Sequence, residues 1–221
     1  MSPDGRRGTE ERVPLQDAAE TMRAVRERCV WSQRITHRDL VPYLIEESHE
    51  LIDAIENGDR VEMREELGDL LWQVLFHAAV AAEDEDDPFT IDDVARTLSE
   101  KMVRRHPHVF GDAVARTPEE VLVHWNAAKA AEKRERRSVL DGIPRGMPAL
   151  ARAQKVLGRV AGPTVPPSDS PRAVASEADL GDALLALVAQ ARAQGWDAER
   201  ALRERLAALE AEVRAAEPAG D

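Results

Sequence analysis

The sequence is poor in cysteine, in aromatic residues and in long apolar runs. One cysteine among 221 residues, Cys29, can form no disulfide within the chain and cannot build a cysteine-ligated zinc site. Aromatic residues make up 4% of the chain, so the core must be mainly aliphatic. No segment approaches the roughly 18 consecutive apolar residues that a transmembrane helix needs. The N-terminus also lacks the apolar run of a secretory signal, and we therefore expect a cytoplasmic protein without a membrane partner.

Positive charge is scarce as well. The chain has 30 Lys and Arg residues against 42 Asp and Glu residues, which gives a formal net charge of −12 at pH 7. This excess argues against binding to nucleic acid or to an anionic membrane surface, because both are polyanions. Hydrophobic residues at 43% and charged residues at 33% are typical of a globular chain.

Strand signals are nearly absent, because β-branched residues never alternate with polar ones over a useful length. Apolar residues recur instead with a period near 3.6, which is typical of amphipathic helices. The sequence therefore predicts an all-α protein, a bundle of four to five helices followed by a C-terminal helical pair. The expected helices cover about residues 14–28, 42–57, 60–82, 90–105, 117–137 and 148–160, and two more, broken near Gly195, lie within 176–217.

Composition divides the chain into parts. Residues 1–13 are polar and glycine-rich, and we expect a disordered tail there. Four prolines crowd the stretch that begins at Gly162, and this predicts a linker over residues 161–175. The main domain is then expected over residues 14–160, with a separate pair of helices at 176–217.

The most informative residues are carboxylates on the second and third predicted helices. Glu47 and Glu50 are three residues apart, and so are Glu66 and Asp69. Residues at this spacing share one face of a helix. A turn signal, Asn57–Asp59, separates the two helices and makes them antiparallel neighbours. The two carboxylate pairs are therefore expected to face each other across the bundle.

Four facing carboxylates repel one another unless a cation neutralises them. An oxygen-only ligand set suits a hard cation, and Mg²⁺ commonly bridges such ligands to substrate phosphates. Gly68 lies between two of the acids, and a glycine inside a helix is tolerated more readily where another backbone approaches closely. The pattern thus indicates a Mg²⁺ site for a phosphorylated ligand.

Other interpretations remain open at this point. Acids three apart are common on solvated helix faces. A di-iron bundle needs two Glu-x-x-His patterns, and the chain has only the one that joins Glu46 to His49. The segment Glu62–Gly68 partly mimics a Nudix box, but the strands of that fold are not predicted. No P-loop pattern is present.

Several blocks of the sequence, in order, resemble the MazG family of nucleoside triphosphate pyrophosphohydrolases. The resemblance covers roughly residues 15–160. It implies an all-α dimeric fold that hydrolyses a ribo- or deoxyribonucleoside triphosphate to the monophosphate and pyrophosphate with Mg²⁺, or with Mn²⁺ in its place. The blocks that carry it are Cys29–Ser32, Thr36–His37, Pro42–Ile55, Glu65–Leu71, Arg104–Gly111, Leu140–Pro144 and Pro148–Leu150.

The resemblance also assigns roles to residues of this chain. By the family pattern, the metal ligands and catalytic residues are Glu47, Glu50, Glu66 and Asp69. The substrate-binding residues would be Lys101, Arg105, Trp125 and Lys129, since cations neutralise a triphosphate and an indole ring stacks on a base. A carboxylate, Glu46 or Glu47, would take the proton from the attacking water. We expect His37, His106 and His108 to be structural, or to support residues that contact the substrate, rather than to be catalytic.

The chain departs from the family in two places. The family often has Cys-Pro-Trp-Asp where this chain has Cys-Val-Trp-Ser at residues 29–32. Residues 178–188 echo residues 65–75, so that Asp179 and Asp182 match Glu66 and Asp69, but no Glu-x-x-Glu helix precedes them. We therefore expect a truncated, inactive second copy. The alternatives to an enzyme are an inactive nucleotide-binding regulator and a helical oligomerisation module.

Overall fold

The structure is a computed structural model that describes residues 13–132, 138–160 and 174–216. Within these ranges it contains helices and no strand, which confirms the predicted all-α class. A short 3₁₀ turn, Ser32–Arg34, follows the first helix. The α-helices are α1 (Pro14–Arg28), α2 (Val41–Asn57), α3 (Arg60–Ala81), α4 (Ile91–Arg105), α5 (Pro107–Phe110), α6 (Pro118–Ala131), α7 (Ala149–Leu157), α8 (Glu177–Ala193) and α9 (Ala198–Ala216).

The chain divides after Ala131 into two compact units. In the first unit, α3 packs against α1, α2 and α4, and α4 in turn packs against α5 and α6. In the second unit, α7, α8 and α9 pack against one another. The predicted tail and most of the predicted linker lie outside the described residues, and so do residues 133–137 at the expected end of the fifth helix.

Helix ends follow the sequence signals. Asp59 caps α3, because its Oδ1 accepts hydrogen bonds from the backbone N–H groups of Val61 and Glu62. Gly58 has φ = 72°, a left-handed conformation that favours glycine, and it ends α2. The tight turn between them makes α2 and α3 antiparallel neighbours, as the sequence predicts. Gly195, with φ = 74°, separates α8 from α9 at the expected place.

The core of the first unit is small and mainly aliphatic. Its buried cluster consists of Met22, Leu40, Leu75 and Phe76, each at most 4% exposed. Partly buried side chains of α1, α3 and α4 surround this cluster. In the part of the chain that the structure describes, no helix is long and apolar enough to cross a membrane.

A buried arginine anchors the loop after α1. The Arg26 guanidinium donates to both carboxylate oxygens of Glu83, at 2.8 and 2.6 Å. It also donates to the carbonyl oxygens of Ser32 and Ile35. The hydrogen bonds from Arg26 hold the pKa of the Glu83 carboxyl below its usual range. One side chain thus fixes α1, the loop and the end of α3 relative to one another.

Ser32 belongs to the departure from the family pattern. It is fully buried, and its Oγ donates to the carbonyl oxygens of Val25 and Cys29 at 2.7 and 3.0 Å. Trp31 next to it lies edge-on to Tyr43 and Phe76. The loop is therefore closed by serine through local hydrogen bonds, without the proline and acid of the family pattern.

Candidate metal centre

Three of the four predicted ligands meet in the structure. Glu47 comes from α2, and Glu66 and Asp69 come from α3, one turn apart. One carboxylate oxygen of each lies within 4.8 Å of those of the other two. Among the described residues, no other group of three or more His, Cys, Asp or Glu side chains is as closely gathered. We call these three residues the carboxylate cluster.

The carboxylate cluster is electrostatically strained. Glu66 is 8% exposed, and its Oε2 is buried without a hydrogen-bond partner. Burial raises the pKa of Glu66, and repulsion from Glu50, Asp69 and Glu47 raises it further. Burial and the same kind of repulsion, led by Asp69, raise the pKa of half-buried Glu47. A bound cation would give the buried Glu66 oxygen a partner and would neutralise the repulsion from the two other carboxylates.

The donor set fits a hard divalent cation. All the ligating atoms are carboxylate oxygens, which Mg²⁺ and Mn²⁺ prefer over soft nitrogen or sulfur ligands. Three carboxylates leave room for water and for phosphate oxygens in an octahedral shell. The carboxylate cluster can therefore hold such an ion and present it to a phosphorylated ligand.

Glu50 lies at the border of the carboxylate cluster. It is not one of the three gathered acids, but it is close enough to Glu47 and Glu66 for its charge to raise the pKa of both. Its role as a fourth ligand stays a prediction.

Gly68 has open space around it. A methyl group in place of its α-hydrogen would meet nothing within 4 Å. The close backbone approach that we expected at this glycine is therefore not made by any described residue of the chain.

The predicted substrate-binding residues lie on α4 and α6. Arg105 and Trp125 are in contact, with the guanidinium carbon 5.1 Å from the centre of the indole ring, a cation–π distance. Lys101 and Lys129 are half-buried on the same two helices. Since α4 packs against α3, these side chains belong to the same unit as the carboxylate cluster.

Histidines form two clusters, part of which the sequence did not reveal. The ring of His108 lies beside that of His106 and stacks on that of His124. His37 stacks on His77 with their Nδ1 atoms 2.8 Å apart. Burial, and then the neighbouring His37, lower the pKa of His77.

Sequence reasoning also missed the buried polar residues of α3. Gln73 is 5% exposed, and its Oε1 has no hydrogen-bond partner; the buried Nε2 of His77 has none either. Both residues follow Asp69 at four-residue intervals, so they continue its helix face. This four-residue spacing is the sequence signal from which both residues could have been predicted to lie on the same face as Asp69.

The echo of the carboxylate helix on α8 is structurally different. Asp179 closes the N-terminus of α8, because its Oδ2 accepts from the Ser176 hydroxyl at 2.8 Å and from a backbone N–H. Asp182 is exposed. Val188 is buried, like Leu75 at the equivalent place on α3. The second unit thus keeps the apolar pattern of the echo, and one of its acids, Asp179, bonds to the N-cap residue Ser176.

The sequence is similar to a known domain family and to several known proteins. The sequence model of the MazG nucleotide pyrophosphohydrolase domain matches residues 35–110, which include the carboxylate cluster and Glu50. An uncharacterised 26.1 kDa protein of Streptomyces cacaoi is 51% identical over 92% of this chain and 82% of its own length. A nucleoside triphosphate pyrophosphohydrolase of Escherichia coli K12 is 38% identical over 80% of this chain and 75% of its own length. A protein of the same name from Mycobacterium tuberculosis is 47% identical over 72% of this chain, which spans only 47% of that protein.

Proposed function

The chain belongs to the MazG family of nucleotide pyrophosphohydrolases, and from this membership we infer that it hydrolyses nucleoside triphosphates to the monophosphate and pyrophosphate. Such an enzyme is a hydrolase that acts on acid anhydrides. The observation that carries the proposal is the carboxylate cluster, with its orphaned buried oxygen on Glu66. The proposed location is the cytoplasm, and the proposed role is removal of unwanted nucleotides.

We propose that Glu47, Glu66 and Asp69 hold the metal, with Glu50 as a further ligand, and that the metal is Mg²⁺ or Mn²⁺. A bound divalent ion supplies positive charge for the phosphate oxygens and lowers the pKa of water. Of the two candidate bases, Glu47 is favoured over Glu46, because it belongs to the carboxylate cluster at which the attacking water would be held. Glu46 lies outside the carboxylate cluster.

The substrate would extend from the carboxylate cluster towards α4 and α6. Lys101, Arg105 and Lys129 would neutralise the triphosphate, and Trp125 would stack on the base. The contact between Arg105 and Trp125 supports these two roles, because it places a side chain that can bind phosphate next to one that can stack on a base. Stacking does not select one base, so we propose a range of nucleotides as substrates.

Two copies of the chain would form a homodimer through α2 and α3. Both helices expose apolar side chains in this single chain, among them Tyr43, Leu44, Leu67 and Val74. A second copy would cover them.

We expect Val74→Glu to convert the dimer to a monomer, because a charge buried in an apolar interface is costly. Light scattering after size exclusion would show the mass fall by half. Val61→Glu is the matched control, because Val61 is also exposed on α3 but lies roughly 140° around the helix axis from Val74. A dimer that survives Val74→Glu, or dissociates equally with Val61→Glu, would contradict this interface.

Asp182→Asn is expected to leave turnover within about twofold of the wild type. Asp182 is exposed on α8, and among the described residues it is not part of any close cluster of acidic side chains. We therefore expect that it holds no catalytic ion. Steady-state pyrophosphate release measures the effect. A loss of tenfold or more would show that the second unit takes part in catalysis.

The proposed function is tested by binding and turnover together. The purified protein and Glu50→Gln are each mixed with Mg²⁺ and a panel of ribo- and deoxyribonucleoside triphosphates. Turnover that disappears in Glu50→Gln supports the enzyme. Mg²⁺-dependent binding without turnover favours a regulator, and neither binding nor turnover favours an oligomerisation module.

A further inference from the structure

His106 lies at the junction of α4 and α5. Pro107 has no N–H group, so the helix ladder ends here, and the backbone N–H of His106 turns to Val103 O at 3.3 Å. This leaves the carbonyl of Met102 for the side chain: Nδ1 of His106 lies 2.7 Å from Met102 O. Since a carbonyl oxygen only accepts, Nδ1 carries the proton. The ring is thereby fixed in one tautomer and one orientation.

The ring of His106 contacts the indole ring of Trp125. Its centre lies 5.1 Å from the centre of the indole, and the two planes meet at 66°, an edge-to-face contact. Arg105, the preceding residue, places its guanidinium 5.1 Å from the same indole. Two consecutive residues at the end of α4 therefore hold one tryptophan of α6, one through its ring and the other through its charge.

We propose that His106 is a positioning residue for the nucleotide: its ring holds the indole of Trp125 where a base can stack and Arg105 can reach a phosphate. The inference rests on the proposed substrate-binding role of Trp125 and Arg105. His106 itself touches no substrate, so its loss weakens binding and leaves the chemistry at the carboxylate cluster unchanged.

Two substitutions separate this role from simple helix capping. His106→Asn keeps a donor near the position of Nδ1 for Met102 O but removes the ring from Trp125. His106→Phe keeps a ring edge against Trp125 but removes the donor. If His106 positions Trp125, nucleotide binding is weaker in the asparagine variant and close to the wild type in the phenylalanine variant. If capping is the role, the order is reversed.

The experiment measures kcat and KM for a Mg²⁺-nucleoside triphosphate in a double-mutant cycle with Trp125→Leu. We expect His106→Asn to raise KM about 3- to 10-fold, as loss of an aromatic pair does, with kcat within about twofold. In the Trp125→Leu background the same exchange changes KM less than about 1.5-fold. His106→Phe stays within about twofold of the wild-type KM.

The control is His124→Gln. It removes a ring that contacts His108 and keeps an amide donor for Val114 O. Its KM should match the wild type.

An unchanged KM in His106→Asn, or an increase that persists undiminished in Trp125→Leu, overturns the inference. Absence of turnover in the wild type would instead refute the proposed function. In that case the double-mutant cycle is repeated with the Kd of the Mg²⁺-nucleotide in place of KM. Absence of nucleotide binding would overturn both the proposed function and the role of His106.

Discussion

Replacing Glu66 by glutamine is expected to lower kcat/KM for nucleoside triphosphates at least about 100-fold and, at the same time, to stabilise the metal-free protein. The loss of activity follows because a metal ion contributes several kcal/mol to the transition state, and tenfold in rate corresponds to about 1.4 kcal/mol. Glutamine keeps one oxygen but loses the charge that holds the ion. The gain in stability follows because burial and four neighbouring carboxylates disfavour the ionised form of Glu66.

The stability effect of Glu66→Gln has a definite dependence on pH. The pKa of Glu66 is higher in the folded than in the unfolded chain, so stability falls as the pH rises above the unfolded pKa, and the loss is complete once the pH exceeds the folded pKa. The variant should therefore exceed the metal-free wild type most clearly at neutral pH. The difference should shrink as the pH falls through the folded pKa and vanish below the unfolded pKa of about 4.3.

Thermal unfolding with and without Mg²⁺, beside pyrophosphate release, measures both effects of Glu66→Gln. The wild type should gain stability on adding Mg²⁺, and the variant should not. Glu65→Gln is the matched control, because Glu65 is an exposed neighbour on α3 outside the carboxylate cluster. A variant that keeps its turnover and its response to Mg²⁺ would show that Glu66 holds no ion.

Arg26→Ala is expected to lower the free energy of unfolding by about 2–4 kcal/mol. The exchange removes both hydrogen bonds to Glu83 and those to the carbonyls of Ser32 and Ile35, of which Ser32 keeps only the bond from the Ile35 N–H. Most of the cost comes from those carbonyls and from the buried guanidinium stem, because the Glu83 side chain is 54% exposed and water can solvate it.

Chemical denaturation of Arg26→Ala measures this cost. Arg23→Ala is the control, because Arg23 is exposed on the same helix and its loss should change the free energy of unfolding by less than about 0.5 kcal/mol. Acid should reduce the contribution of the ion pair. The pKa of Glu83 is lowered in the folded chain, so this contribution is present above the unfolded pKa and is lost as the pH falls through the folded pKa. Equal stability of Arg26→Ala and the wild type would contradict the anchoring role.

The carboxylate cluster was predictable because every step that builds it is local. Helical spacing puts Glu66 and Asp69 on one face of α3, and the Gly58–Asp59 turn returns the chain so that α2 lies beside α3. Both signals are set by backbone geometry within a few residues. The all-α class followed from the same kind of local pattern.

Contacts between residues far apart in the sequence could not be predicted from local patterns. Arg26 meets Glu83 across 57 residues, and Arg105 meets Trp125 across a change of helix. Such pairs are chosen by how helices pack, which periodicity does not encode. The short helix α5 is not predicted for a different reason: Pro107 follows the last residue of α4 and stops that helix, while it also suits the first turn of a new one.

The central claim is that the carboxylate cluster serves hydrolysis of nucleoside triphosphates between the α- and β-phosphates. It is tested most directly by phosphorus NMR of a Mg²⁺-nucleoside triphosphate incubated with the full chain. We predict that monophosphate and pyrophosphate appear in equal amounts and that neither forms in the presence of a chelator. Diphosphate and orthophosphate, or no product from any nucleotide of the panel, would contradict the claim.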